Sequence, residues 1–261
     1  MKQLETLAQT KRYSRQIMLP AIDLAGQERL LNSKVLLIGV GGLGCAAAPY
    51  LISAGVGELT LVDGDLIELS NLQRQILFTE ADIGQAKARV AAARLAQLQP
   101  EAVLHVVAEY VDAAQISALV AAHDVVLDCT DNLATRLAVS DACVAHRRPL
   151  VSGSAIRFEG QLCCFSHQAD SPCYRCLSQM FGEQTLNCLE AGIFAPVVGV
   201  IGTSQASLAL QILAKVGTVP WHQLRLYDGL TQEWQSFLLR ANPRCQCRTR
   251  DEGSSDNNSC P

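Results

Sequence analysis

The sequence predicts an α/β protein whose sheet is doubly wound and mostly parallel, with an antiparallel extension toward its C-terminal end. Three observations carry this reading. A strand, glycine turn, helix, strand and acid follow one another over residues 35–63. Short apolar runs then alternate with helix-prone segments as far as residue 147, the pattern of successive βαβ crossovers. Beyond that point apolar runs come in close succession, as in hairpins.

Each part of the opening unit has a physical reason. Val35-Leu36-Leu37-Ile38 is a short apolar strand, and Gly39-Val40-Gly41-Gly42-Leu43-Gly44 follows at once. Cys45 to Gly55 reads as a helix, and Glu58-Leu59-Thr60-Leu61-Val62 as a second strand closed by Asp63. This order is a nucleotide-binding fingerprint and predicts a Rossmann-like sheet. Gly39 permits the tight turn, Gly41 lets backbone approach a phosphate, and Gly44 allows close packing of helix on strand. A helix starting near Gly42 points free N–H groups and a positive dipole end at an anion. A carboxylate at Asp63 accepts ribose hydroxyls.

Composition narrows the class. A chain of 261 residues, 49% hydrophobic, can bury one large core. The expected organisation is a single domain over 1–247 and a polar, disordered tail over 248–261. A net charge of −4 argues against a general nucleic-acid binder. No apolar run is long enough and free of glycine breaks to suggest a membrane span. Met1 to Glu5 carries no apolar h-region, so no signal peptide and a cytoplasmic location are expected.

Residues 1–34 are charged and helix-prone and include Tyr13-Ser14-Arg15-Gln16. Asp63 to Gln75 is acidic at first and then reads Ser70-Asn71-Leu72-Gln73-Arg74-Gln75, neither strand nor long helix. Arg74 is either a surface residue or a bidentate phosphate ligand. A helix is predicted from Gly84 to Gln99, with Lys87 near its start, where an acid would be the usual residue. Val103–Val107 is a strand in which His105 reads as structural, and Asp112 caps a helix to about Ala122. Asp124 to Asn132 is a buried strand ending in a polar cluster, followed by a helix over 132–147. Ligands bind at such strand ends. Asp128 or Asp131 is a candidate Mg²⁺ ligand there and the other an N-cap, with Asp131 favoured because it lies further past the strand. Strands are expected at 149–155 and 160–165, a helix at 203–215, and a hairpin from 224–228 and 234–239.

Eleven cysteines without a secretion signal argue against a disulfide framework. Cys45, Cys129, Cys143, Cys163 and Cys164 lie in apolar segments and read as small core residues. Cys173, Cys176, Cys188, Cys245 and Cys247 lie in polar or turn-like surroundings. Cys173-Tyr174-Arg175-Cys176 with Cys245-Gln246-Cys247 supplies four soft ligands, which suits a structural Zn²⁺ better than a redox pair. Cys188, in a glycine-flanked polar stretch, is either an incidental or a reactive thiol.

Taken together, these stretches resemble the ubiquitin-activating-type (HesA/MoeB/ThiF) superfamily. The matching residues are Tyr13–Gln16, Gly39–Gly44, Ser70–Gln75, Lys87, Leu127–Asn132 and Cys173–Cys176. Within the superfamily, Cys173–Ser178, Phe181–Glu183 and Glu190–Gly192 most resemble the branch that serves molybdopterin synthase, with the thiazole-pathway branch second. The resemblance implies an adenylyltransferase domain over 1–247 that uses ATP and Mg²⁺. Its substrate is the C-terminal Gly-Gly carboxylate of a small ubiquitin-like sulfur-carrier protein, activated as an acyl-adenylate for molybdenum cofactor synthesis. By match, Gly39, Gly41, Gly42 and Gly44 cradle the nucleotide and Asp63 holds ribose. Asn71, Arg74 and Lys87 contact phosphates, Asp131 supports Mg²⁺, and Ser70, Leu72, Gln73 and Asn132 complete the cofactor-binding set. Arg15 is expected to arrive from the partner subunit of a homodimer. Cys188 matches a loop cysteine that handles sulfur in the thiazole branch, and a separate protein is expected to donate the sulfur.

The sequence departs from the superfamily at the tail. A second Cys-x-x-Cys would end at Arg248, whereas Cys247 comes one residue early. An NAD-dependent oxidoreductase could use the same Gly39–Asp63 unit. It would have no need of Arg74, Lys87 and Asp131 for phosphate and metal.

Overall fold

The computed structural model describes residues 3–168, 171–181 and 191–245. Cys188, Cys247 and the 248–261 tail lie outside the described residues.

Two helices lead in, α1 (Leu7–Ile17) and α2 (Asp23–Leu31). Strand β1 (Lys34–Ile38), helix α3 (Gly42–Ser53) and strand β2 (Glu58–Val62) form the first crossover. Then come α4 (Lys87–Leu98), β3 (Val103–Val107), α5 (Ala113–Ala121), β4 (Val125–Asp128), α6 (Leu133–Ala145), β5 (Leu150–Ile156) and β6 (Glu159–Phe165). The described chain ends with α7 (Tyr174–Phe181), α8 (Ala195–Ala214), β7 (Gln223–Asp228) and β8 (Glu233–Leu238).

The strands form one sheet of eight in the order β3-β2-β1-β4-β5-β6-β7-β8. β3, β2, β1, β4 and β5 are parallel, and β6, β7 and β8 continue antiparallel. The doubly wound sheet with its antiparallel extension is as expected. Because β1 is flanked by β2 and β4, strand order reverses beside it, and a crevice opens at the carboxyl ends of β1 and β4.

Both faces of the central strands are covered. Val35 and Leu37 of β1 join one core with Leu51, Ile52, Leu95 and Ile201, while Leu36 and Ile38 join the other with Ile116, Val120 and Val139. A strand buried on both faces has no solvated side, so its sequence is continuously apolar rather than alternating. Truncating Leu37 to Ala would cost about 2–5 kcal/mol through lost transfer energy and a cavity.

Several boundaries differ from expectation. α8 begins at Ala195, not near 203. Pro196 falls in its first turn, where a missing N–H breaks no helical bond. Gly202 is tolerated because a Cβ there would stand 2.4 Å from the Leu43 carbonyl oxygen of α3. α8 is long and apolar enough to cross a membrane, yet it packs on α3 and the sheet with Val197, Ile201, Gln205 and Ala209 buried. α4 starts at Lys87 because Gly84 adopts φ +85° and Ala86 is extended. α6 is capped by Asn132, whose side chain accepts from the Thr135 N–H, rather than by either aspartate. Asp112 caps α5 as predicted.

Candidate active site

The glycine turn is built by close approach. Gly39 has φ +93°, and a Cβ on it would stand 2.7 Å from the Cys129 carbonyl oxygen beyond β4. The turn after β1 and the turn after β4 therefore touch. A Cβ on Gly44 would stand 2.1 Å from the Gly39 carbonyl oxygen, so the first turn of α3 lies directly on the loop. Gly42 faces Val198 of α8, where a Cβ would meet a methyl at 3.0 Å. At Gly41 a Cβ would meet only the amide nitrogen of Gln75, at 3.8 Å. Gly41 thus has open backbone, whereas Gly44 packs tightly on the loop.

Asp63 ties the turn to β2. Its carboxylate accepts from the Val40 N–H at 2.6 Å and the Asp65 N–H at 2.8 Å. Burial pushes this carboxyl above the usual range, against the pull of those two N–H groups. Each oxygen keeps a lone pair for a hydroxyl.

Lys87 is buried, and its Nζ meets Asp65 Oδ2 at 2.7 Å. Asp65 also accepts from the Tyr110 hydroxyl at 2.6 Å. Burial works to raise the Asp65 carboxyl, but the bonds from Lys87 and Tyr110 and the Lys87 charge together hold it low. In the 70–75 segment, Asn71 is buried and its Oδ1 accepts from the Glu68 N–H at 3.2 Å. Arg74 is partly exposed and donates to the Ser70 carbonyl at 3.0 Å. Ser70 and Gln73 are exposed and Leu72 half-buried.

After β4 the two aspartates separate clearly. Asp128 is buried and accepts from the Thr130 N–H, the Thr130 hydroxyl and the Ser152 hydroxyl, at 3.1, 2.7 and 2.8 Å. Asp131 and Asn132 are exposed. Of the two aspartates, Asp131 is the one exposed to solvent.

Arg15 stands elsewhere. Its helix α1 is anchored at the opposite end of the sheet: Gln16 donates to the Ala54 carbonyl, just before β2, and Arg12 to the Leu98 carbonyl, just before β3. Arg15 itself is exposed. A strand of five residues alone separates the two ends by about 16 Å, so the side chain does not reach its own glycine turn.

The cysteines divide as follows. Cys45, Cys129, Cys143, Cys163 and Cys164 are buried as expected, and burial pushes the Cys45 thiol up to about 12. Cys173, Cys176 and Cys245 are also buried, contrary to their polar sequence context. They are buried by one another: Cys173 Sγ lies 3.9 Å from Cys176 Sγ and 3.6 Å from Cys245 Sγ, and all three sulfurs lie within 4.8 Å of one another. Tetrahedral ligands about 2.3 Å from a zinc ion stand roughly 3.8 Å apart, so the three sulfurs fit one. The hydrogen bond shared with Cys173 lowers the Cys176 thiol pKa, toward the thiolate a metal requires. The fourth candidate, Cys247, is outside the described residues.

Sequence reasoning missed two contributors. Asp65 lay unremarked in an acidic stretch. Arg136, inside a helix, carried no signal because a helical arginine usually faces water. It is in fact buried, donating to the Thr130 carbonyl and, at 3.0 Å, to the Gly153 carbonyl, with its guanidinium 5.9 Å from the Tyr174 ring centre.

Comparison with known proteins adds to this geometry. The ThiF family profile matches residues 13–249. Molybdopterin-synthase adenylyltransferase of Escherichia coli (strain K12) is 49% identical over 235 residues, covering 90% of this chain and 94% of its own. The same-named protein of Salmonella typhimurium (strain LT2) is 45% identical over 235 residues, with coverage of 90% and 94%. The sulfur carrier protein ThiS adenylyltransferase of E. coli is 49% identical over 234 residues, with coverage of 90% and 93%. Among solved structures, E. coli MccB with ATP superposes with a TM-score of 0.79 over 90% of this chain and 74% of its own, at 23% identity. That likeness shows a shared fold.

Proposed function

The chain belongs to the ThiF family, and on that premise we propose that it adenylates a small ubiquitin-like sulfur-carrier protein for molybdopterin synthesis. The observation that carries this reading is the convergence at one crevice of the Gly39–Gly44 turn, Asp63, Lys87 and the open carboxylate of Asp131.

ATP lies across the glycine turn, with its ribose on Asp63 and its phosphates between the start of α3, Lys87 and Arg74. The Gly-Gly tail of the carrier enters with its carboxylate toward the α-phosphorus. A carboxylate oxygen forms the new P–O bond while the bond to the β-phosphate oxygen breaks, giving an acyl-adenylate and pyrophosphate. The attacking group is already an anion, so no strong general base is required. The protein brings two anions together and offsets their repulsion. Lys87 exchanges Asp65 for phosphate at low cost, because Asp65 is half exposed and regains water. Asp131 would hold Mg²⁺, which when bound supplies charge neutralisation on the phosphates. The enzyme is a homodimer in this reading, since Arg15 is too far to serve its own site. Cys173, Cys176, Cys245 and Cys247 would hold a structural Zn²⁺.

A second reading, the same chemistry on the thiazole-pathway carrier, is favoured by the 49% identity to the ThiS adenylyltransferase. ATP–pyrophosphate exchange with each purified carrier decides. Exchange with the molybdopterin-synthase small subunit is the expected result. Exchange with the thiazole carrier alone establishes the second reading, and exchange with neither overturns both.

A further inference from the structure

The residue after Arg74 carries an unexplained feature. Gln75 is 3% exposed, and its Oε1 is buried with no hydrogen-bond partner. Its Nε2 has no hydrogen-bond partner among the described residues either, and it is the atom that overlooks Gly41. The backbone around it is well held: the Gln75 N–H donates to the Asn71 carbonyl at 3.1 Å, and the Phe78 N–H to the Gln75 carbonyl at 3.0 Å. The carbonyl end of the side-chain amide is thus kept in the core unused, and neither donor at its nitrogen has a partner among the described residues. Buried polar groups in folded proteins are almost always paired, and an orphan in a native site needs a reason. Met or Leu would fill the same space without leaving polar atoms unpaired.

We propose that Gln75 is a nucleotide-binding residue, its amide Nε2 donating to a phosphoryl oxygen lying over Gly41. This rests on the adenylyltransferase reading and deepens it. The position over Gly41 lies beside the first turn of α3, where free backbone N–H groups already favour an anion. An amide can turn either end outward, and an anionic ligand selects the donor end, which is the end that faces Gly41. In the ligand-free site the nearby carboxylates take other donors: Asp63 accepts from two N–H groups, and Asp65 from Lys87 and Tyr110. Gln75 therefore supplies a neutral donor between the backbone of the glycine turn and the charged Arg74 and Lys87. A neutral donor strengthens as charge builds on the phosphoryl oxygens and attracts no counter-ion in the ligand-free site.

The test compares Gln75→Met and Gln75→Glu with the wild-type enzyme in two readouts. These are carrier-dependent ATP–pyrophosphate exchange and the rise in thermal midpoint caused by Mg²⁺-ATP. Loss of one hydrogen bond to a charged group predicts a fall in kcat/KM for ATP of roughly 10- to 100-fold in Gln75→Met. Gln75→Glu should fall further, because a carboxylate there repels phosphate. Gln75→Met without nucleotide should melt at or above the wild-type temperature, since the orphaned amide is gone, while its response to Mg²⁺-ATP shrinks. The inference is overturned if Gln75→Met keeps kcat/KM within about twofold of wild type, or loses exchange only in step with ligand-free stability. If the wild-type enzyme exchanges with neither carrier but is stabilised by Mg²⁺-ATP, the adenylation reading fails and the thermal response alone decides for or against Gln75. If it shows neither, both fall together.

Discussion

Lys87 and Asp65 form an ion pair with an N–O distance of 2.7 Å in which the lysine side chain is 7% exposed and the aspartate 48%. The asymmetry matters. Removing the lysine leaves an anion that water can solvate, whereas removing the aspartate leaves a buried, unpaired cation. Lys87→Ala should therefore lower ATP–pyrophosphate exchange at least 100-fold while shifting the thermal midpoint little. Unchanged turnover would remove Lys87 from the mechanism. Asp131→Ala, at an exposed position, should likewise lose exchange without losing stability.

Gly44 tests the construction of the nucleotide turn. A Cβ 2.1 Å from the Gly39 carbonyl oxygen cannot be absorbed by a side-chain rotation, because the obstacle is backbone. Gly44→Ala should cost about 2–4 kcal/mol in urea unfolding. Gly41→Ala, with only the Gln75 amide nearby at 3.8 Å, should fold normally and weaken nucleotide binding. Similar destabilisation in both variants would contradict the division of roles between the two glycines.

His167 sets an acid limit on stability. It is buried at the end of the β6 segment and bonded through Nδ1 to the Arg148 carbonyl, and burial lowers its pKa to about 4. The unfolded chain, with a histidine pKa near 6.5, binds more protons than the native state between those values. Stability is therefore full above about pH 6.5 and is lost as pH falls toward about 4, by roughly 2–3 kcal/mol from this group. His167 sits at φ +51°, which asparagine tolerates. In His167→Asn the decline in urea midpoint between pH 7 and pH 4.5 should be visibly smaller. An identical decline would assign the acid sensitivity elsewhere.

The three-cysteine cluster is linked to the crevice through α6. Arg175 forms two 2.7 Å bonds to Asp141, and the Tyr174 N–H donates to Ser140 at 3.2 Å. The first turn of α6 follows directly on Asp131 and Asn132. We expect purified protein to contain about one zinc per chain by metal analysis, and Cys173→Ser to lose it and to melt several degrees lower. Stoichiometric zinc in Cys247→Ser would show that the early cysteine is not the fourth ligand.

The central strands, the glycine turn and the Asp112 cap were legible because their signals are local. Apolar runs, a positive φ and a capping side chain are set by neighbours in sequence. The start of α8 was not legible, because Gly199 and Gly202 are poor helix residues by local propensity and it is the close packing of α3 that fits Gly202 to the helix. The preference for Asp131 over Asp128 rested in the sequence on distance past the strand alone. Only the three donors gathered from Thr130 and Ser152 show that Asp128 is already spent.

By itself, the sequence determined the doubly wound sheet, the glycine turn after β1 and the family to which the chain belongs. The tertiary structure alone decided which polar side chains find partners. It buried Arg136 under the Thr130 carbonyl, paired Lys87 with Asp65, set Arg15 at the far end of the sheet and left the Gln75 side-chain carbonyl oxygen without a partner among the described residues. The physical reason is that hydrogen-bond satisfaction is a property of neighbours in space. Residues far apart in the chain compete for the same donors, and no local pattern records which of them wins.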